Sequence, residues 1–227
     1  MSQTELGGTA RRAIVAVSPG VPRTARTPFL FQLKGPIEWS AALVASVALA
    51  PIMVAIAVAV TLSGPGPVFY RRRVLGRGGV VFEAFKFRTM VADADAVLER
   101  DLALKERFTE RFKLRDDPRV TRPGRFLRRY SLDELPQLIN VLRGQMALIG
   151  PRMISPDEVV KYGRHGDSLL SVKPGLTGLW QTSGRQTTSY EERVALDMSY
   201  IADWSFWLDL KIAVRTVRVV LKADGAF

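Results

Sequence analysis

The 227-residue chain has no cysteine and a single histidine. Disulfides and cysteine-based metal sites are therefore excluded, and so is a histidine-rich metal centre. His165 lies in a polar stretch, KYGRHGDS, which reads as a surface loop rather than the setting of a general base. Acidic residues are scarce beside basic ones, 22 against 33, giving a formal net charge of +11. That balance points to anionic partners: nucleic acid, acidic lipid or a phosphorylated substrate. No established nucleic-acid motif accompanies the charge. The apolar run Ala13–Val17 is too short for a signal-peptide core, which needs roughly seven residues or more. The length fits one domain with appendages.

Residues 1–32 read as a flexible basic tail, with Arg11, Arg12, Arg23 and Arg26 against the lone acid Glu5. A disordered leader is the simpler reading, and attraction to anionic lipid the functional one. Ile37–Leu62 is the membrane segment. Its length, about 39 Å as a helix, exceeds a hydrocarbon core of about 30 Å. Pro51 near its middle removes a backbone hydrogen bond, leaving halves of about 21 and 18 Å, each too short to cross. Lys34 and upstream arginines flank one end, and Arg71, Arg72, Arg73 and Arg77 the other. Basic flanks belong on the cytoplasmic side, so a re-entrant helix–break–helix satisfies both. A kinked crossing helix is the alternative.

Val68–Tyr70 and Val80–Phe82 read as strands around Gly76–Gly79, a hairpin pattern. In FKFRTM, alternation puts Lys86 and Arg88 on one side and the phenylalanines on the other. Two cations on one face suit a phosphate, as they would an ordinary half-exposed strand. Asp93–Phe112 reads as a solvated charged helix with pairs such as Asp101–Lys105. Arg115–Arg129 is a basic connector that could grip phosphates or lipid headgroups, or serve only as a solvated loop.

The chain is organised around RFLRRYSLDELPQLINVLRGQMALIGPR, Arg125–Arg152. Leu132, Leu135, Leu138, Ile139 and Leu142 mark one helix face. Ser131 and Glu134 form a capping-box signature, which predicts a helix starting at Ser131. Asp133 then occupies the first turn, where the helix dipole is positive and a phosphate binds readily. Paired carboxylates, flanking arginines and a helix N-terminus point to phosphate chemistry, although Asp and Glu are also ordinary first-turn residues. Farther on, Lys173–Arg185 is glycine-rich loop or short strand. Its Trp180 and Gln181 could stack on and hydrogen-bond a nucleobase, or sit in the core. Ser189–Ala202 reads as a helix carrying Glu191, Glu192 and Asp197. Along Trp204–Lys222, a basic stripe (Lys211, Arg215, Arg218, Lys222) runs beside an apolar one (Leu210, Val214, Val217, Leu221). That pattern fits a helix in the membrane interface, or one packed on the core with its basic face in water.

These motifs in this order, with SGPGPVFYRRRVLGRGG, VKPGLTGLWQTSGR and WSFWLDLKIAVRTV, resemble the bacterial sugar transferases, the monotopic polyprenyl-phosphate phosphoglycosyltransferases. The resemblance runs from about residue 33 to the C-terminus and is to the minimal catalytic form. The large members carry four further membrane helices and another domain upstream. It implies transfer of a sugar-1-phosphate from a UDP-sugar to undecaprenyl phosphate, with UMP leaving, on the cytoplasmic face of the bacterial inner membrane. It implies Mg²⁺ as cofactor, Asp133 as nucleophile forming a phosphosugar adduct, and Glu134 near the metal. The family's basic residues fall on Lys86, Arg129 and Arg152, and its break proline on Pro51. Arg88, Arg125, Gln181, Arg185 and Asp197 are candidate substrate contacts.

The chain departs from the family in two places. Met153 follows Arg152 where a proline is usual, and Ala50 stands where some members have Ser. The ending KADGAF leans toward members that transfer hexose-1-phosphates such as glucose or galactose. The expected fold is α+β and predominantly helical. It comprises a re-entrant membrane segment (33–66), a cytoplasmic catalytic domain (67–227) with an interfacial C-terminal helix, and a small β component. Expected partners are the UDP-sugar, undecaprenyl phosphate and inner-membrane lipid, with a homodimer left open and no nucleic acid. The competing readings are a basic membrane-associated nucleic-acid-binding protein, which charge alone supports, and an inactive scaffold, which the intact site residues oppose.

Overall fold

A computed structural model describes residues 28–102, 105–106, 117–184 and 188–222. The basic tail before residue 28, the end of the charged helix, Arg185 and the KADGAF ending after Lys222 lie outside the described residues. The fold is predominantly helical with two small sheets, as the sequence predicts. Helix α1 spans Pro28–Leu62. Strands β1 (Phe69–Leu75) and β2 (Val81–Phe87) form the expected antiparallel hairpin. Helix α2 (Ala94–Arg100) begins the charged stretch. There Lys105 pairs with Glu99 at 2.5 Å, a partner the pattern did not single out.

Helices α3 (Arg122–Arg129) and α4 (Gln137–Leu142) follow, then strand β3 (Ala147–Ile149). Next come a 3-10 stretch (Pro156–His165), helix α5 (Gly166–Leu170) and strand β4 (Gly175–Thr177), which pairs in parallel with β3. Helices α6 (Tyr190–Ala202) and α7 (Phe206–Lys222) close the chain. A capping box at Ser189 and Glu192 starts α6.

Two expectations are corrected. α1 is one helix through Pro51, without the break predicted there. A proline can be absorbed by a kink that keeps helical dihedrals on either side. Nor does a helix begin at Ser131. Its φ is 55°, left-handed, and its side chain makes no capping hydrogen bond to the turn that follows. The carboxylates sit in a 3-10 turn, Leu132–Glu134, and α4 starts after Pro136. Pro136 has no N–H for an interior helical bond, so an α-helix from Ser131 would be interrupted there.

α1 is part of the core rather than an appendage. Ala42 is fully buried with Val74, Phe82, Ala84, Leu138 and Met146, while Ile56 and Val60 pack with Phe87 and Leu127. The opposite face exposes Val44, Val47, Val54, Val58 and Leu62. At the N-terminal end Lys34 reaches Asp209 at 2.5 Å and Glu38 at 2.8 Å. Glu38 in turn accepts from the backbone N–H of Ile149. At the other end Arg88 donates to the carbonyls of Val60 and Gly64 at 2.9 and 2.7 Å, and to that of Pro65. A cation there satisfies carbonyls that a helix C-terminus leaves unpaired. Arg88 is buried in this role, so its observed contacts are those of a helix clamp, where a substrate contact was expected.

Candidate active site

Asn140 sets the geometry around the carboxylate pair. From α4 it mimics a neighbouring strand for β2: its Oδ1 accepts from Phe85 N at 3.0 Å, and its Nδ2 donates to Glu83 O at 2.7 Å. That pairing brings Lys86, the next residue on β2, over the 3-10 turn. Lys86 Nζ lies 2.5 Å from Glu134 Oε1 and 3.9 Å from Asp133 Oδ2. Its neighbour across the hairpin is Tyr70, which is exposed.

A second cation arrives from α3. Residues just beyond β2 bridge to Val120, and Thr121 caps α3 by accepting from Gly124 N. Gly124 is required because a Cβ there would stand 2.1 Å from Thr89 O. The buried Asp117–Arg119 pair, 2.7 Å apart, braces this loop. α3 thereby presents Arg128 inward, where its Nε donates to Thr89 Oγ1 at 2.9 Å and its charge acts on Asp133. Burial lowers the Arg128 pKa, the field of Asp133 opposing it. Arg125 and Arg129 point outward and are exposed. The arginine whose charge acts on Asp133 is thus Arg128, while the expected Arg129 lies on the exposed side of α3.

Asp133 is only 9% exposed. Burial pushes its pKa up to about 6; Lys86 and Arg128 pull it down and Glu134 pushes it further up. A carboxylate that is desolvated yet flanked by cations is little hydrated, the condition that activates a carboxylate as a nucleophile. The third expected cation, Arg152, follows β3. β3 and β4 approach so closely that a Cβ on Gly175 would lie 2.2 Å from Gly150 N. Met153, in the family's proline position, is buried in the core beside Val74 and Ala84 and anchors the same turn. Arg152 lies with its guanidinium 5.0 Å from the Trp180 ring centroid. Burial lowers its pKa, and Glu134 is the charge that most opposes this.

The profile of a family described as Bacterial sugar transferase matches residues 30–223. The chain belongs to that family. An undecaprenyl-phosphate galactose phosphotransferase of Salmonella typhimurium is 45% identical over 181 residues, covering 78% of this chain and 38% of that protein. The exopolysaccharide production protein ExoY of Sinorhizobium fredii is 42% identical over 190 residues, covering 82% and 84%. A UDP-glucose:undecaprenyl-phosphate glucose-1-phosphate transferase of Xanthomonas campestris is 40% identical, covering 82% and 38%. The chain thus spans little more than a third of two of these relatives and most of the third.

The other predicted contacts of this sugar transferase divide by burial. Asp197 is fully buried; it accepts from Tyr162 Oη at 2.8 Å and from Arg152 N at 3.2 Å. It therefore fixes the Arg152 loop from behind, the role its contacts give it in place of the open surface position expected of a substrate contact. Burial raises its pKa to about 6 against those two hydrogen bonds. Trp180 and Gln181 are buried too, with Trp180 Nε1 donating to Thr188 Oγ1 at 2.7 Å. Trp180 thus sits in the core with its ring facing the Arg152 guanidinium, the second of the two placements the sequence left open. Sequence reasoning missed the roles of Arg128, Asn140 and Tyr162. The helical phase of Gly124 and Leu127 would have placed Arg128 inward; the other two have no local signal.

Among the described residues no cluster of three or more His, Asp or Glu is positioned as a metal cage. Asp133 and Glu134 do offer hard oxygen atoms, and Asp133 is met by Lys86 only at 3.9 Å. Such a pair suits Mg²⁺, which often takes one or two carboxylates and completes its shell with water and substrate phosphate.

Proposed function

We propose that this sugar transferase moves a hexose-1-phosphate from a UDP-sugar to undecaprenyl phosphate, releasing UMP, by way of a phosphosugar ester on Asp133. The observation that carries the reading is the desolvated Asp133 carboxylate beside Glu134, under Lys86 and Arg128. An Asp133 oxygen bonds to the sugar-linked phosphorus while the bond from that phosphorus to the bridging oxygen breaks, and UMP departs with that oxygen. An oxygen of the lipid phosphate then attacks the same phosphorus, and the carboxylate is regenerated. Lys86, Arg128 and Arg152 offset the negative charge that builds on the phosphoryl oxygens. When bound, Mg²⁺ held by Glu134 with Asp133 would supply further charge neutralisation. The galactose and glucose named for two relatives support a hexose donor. The exopolysaccharide role of a third supports a place at the start of surface-polysaccharide assembly.

The reading includes a monotopic attachment to the cytoplasmic face of the inner membrane. Both ends of α1 touch one catalytic body: Lys34 meets Asp209, and Val60 meets Arg88. These points lie about 39 Å apart along a helix, more than a hydrocarbon core of about 30 Å. A crossing helix would carry one of them to the far side. An α1 that lies against the body, with its apolar outer face in lipid, keeps both on one side.

The test is UMP release from a panel of UDP-sugars with undecaprenyl phosphate and Mg²⁺. One sugar should give turnover. Without the lipid, about one equivalent of UMP per enzyme should appear as the ester accumulates. No UMP from any donor would end the assignment, and turnover with no lipid-independent release would end the two-step route.

A further inference from the structure

Glu38 is an acid on α1, the helix that carries the attachment, and the reaction above gives it no part. Its side chain is 12% exposed, and its Oε1 accepts from Lys34 Nζ at 2.8 Å and from the backbone N–H of Ile149 at 2.9 Å. Lys34 does not depend on it, since Lys34 Nζ also reaches Asp209 Oδ2 at 2.5 Å. Trp204 Nε1 donates to the same Asp209 oxygen at 3.0 Å. Tyr200 Oη, on α6, lies 3.0 Å from Ile149 O and 2.8 Å from Asp209 Oδ1.

The two polar backbone groups of Ile149 are thus held by side chains from two other helices, its N–H by α1 and its C=O by α6. Ile149 is the buried last residue of β3, three positions before Arg152. The link between them has little slack. Gly150 N donates to Thr177 O at 2.9 Å and Gly175 N to Pro151 O at 2.8 Å, while a Cβ on Gly150 would stand 2.8 Å from Gly175 N. The Pro151 ring fixes its own φ. In a close-packed turn held by two hydrogen bonds, a shift at Ile149 is passed on rather than absorbed. The far end of the turn is Arg152, whose guanidinium rests 5.0 Å from the Trp180 ring centroid.

We propose that Glu38 and Tyr200 are positioning residues for the transfer, a clamp on Ile149 that aims the Arg152 side chain, given the charge-offsetting part that the phosphate-transfer reading assigns to Arg152. What Glu38 supplies is an acceptor for a buried N–H, not a charge for Lys34. A buried N–H stripped of its acceptor is costly, and β3 escapes that cost by moving. The signature lies in kcat, because charge on the phosphoryl oxygens builds on the way to the transition state. α1 thereby serves the chemistry as well as the bilayer.

The experiment uses the full chain in detergent, as wild type, Glu38→Gln, Glu38→Leu, Tyr200→Phe and Arg152→Met, the last also combined with Glu38→Leu and with Tyr200→Phe. UMP release is followed with the UDP-sugar that gives turnover and undecaprenyl phosphate, and amide hydrogen exchange is measured over residues 147–153. Glu38→Leu should lower kcat about tenfold or more, as misplacement of a remote group does, and leave both KM values within about twofold. Exchange over 147–153 should quicken at least about tenfold. Glu38→Gln keeps an acceptor, so its kcat and exchange should stay within about twofold of wild type. With Arg152→Met in place, Glu38→Leu should cost less than about twofold more, the mark of one residue acting through another. Tyr200→Phe frees the carbonyl side of Ile149 and should show the same coupled loss; this arm decides the matter should Glu38→Leu fail to fold. Equal losses in the Gln and Leu variants would make charge the cause and overturn the clamp. So would an undiminished loss in the Arg152→Met background. Exchange needs no turnover. Quickened exchange in a protein that releases no UMP would therefore sink the reaction and keep the clamp, and normal turnover with kcat unmoved in both clamp variants would do the opposite.

Discussion

Asp133→Asn should abolish transfer and, at the same time, stabilise the protein at neutral pH. The side chains are nearly isosteric, so the substitution removes a charge and leaves the packing. The Asp133 pKa is about 6 in the fold, against roughly 4 for an unfolded aspartate. Between these values the folded state binds more protons than the unfolded one, so stability falls as pH rises through the window. Above about pH 6 the buried charge costs the fold its full penalty. A displacement of about two pH units corresponds to about 3 kcal/mol.

The Asn variant escapes that penalty, and Lys86 keeps its partner Glu134 at 2.5 Å. For a body of this size about 3 kcal/mol corresponds to roughly 5–10 °C in Tm. Thermal unfolding in detergent, followed by tryptophan fluorescence at pH 7.5 and pH 4, measures it. The variant should melt higher at pH 7.5 and level with wild type near pH 4. UMP release should fall by about 10³-fold or more, as expected for loss of a covalent nucleophile. An equal or lower Tm at pH 7.5 would refute the desolvation argument. Activity within tenfold of wild type would refute Asp133 as nucleophile.

Activity of the unmodified enzyme should rise as pH increases through about 6, as Asp133 ionises. Lys86→Met withdraws the largest opposing charge, so the midpoint of that rise should move to higher pH; an unmoved midpoint would contradict the pairing. Arg128→Gln should lower kcat by about a hundredfold and Arg129→Gln by less than about threefold, reflecting which side chain faces the developing charge; the reverse ranking would restore the sequence-based assignment. Asn140→Ala deletes the link between α4 and β2 and leaves buried polar atoms unmatched, which should cost about 2–4 kcal/mol in denaturant unfolding. Because the chain has no cysteine, Gly35→Cys and Leu62→Cys give clean labelling sites at the two ends of α1. Neither should react with an impermeant maleimide added outside intact cells, and reaction of either would favour a crossing helix.

The carboxylate pair, Lys86 and Arg152 were legible in the sequence because each sits in a dense local motif. The hairpin was legible too, from glycine placement, and so was the extent of α6, whose start carries a capping box that the reading did not use. The capping box at Ser131 misled because composition matched while the backbone did not: Ser131 is left-handed, and Pro136 was the stronger local signal. Arg88 shares a strand face with Lys86, as alternation requires, but one step along that face passes from the site to the end of α1. Nothing local reveals that. The aromatic surround of Arg193 joins residues 162, 180 and 190, and the Asn140 link joins a helix to a strand more than fifty residues earlier. Such contacts are products of the folded chain and leave no periodic trace.

The burial of Ala42 and Val60 among catalytic-domain side chains bears on how this enzyme can be handled and how it evolves. Deleting the first 62 residues would not liberate a water-soluble transferase. It would strip the lid from Val74, Ala84, Leu138 and Phe87 and leave an oily trench prone to self-association. Exchanging the segment for a generic hydrophobic anchor would fail for the same reason, since a substitute would have to reproduce its inward stripe as well as its greasiness. On the proposed attachment, bilayer binding and domain architecture are written into the same helical turns.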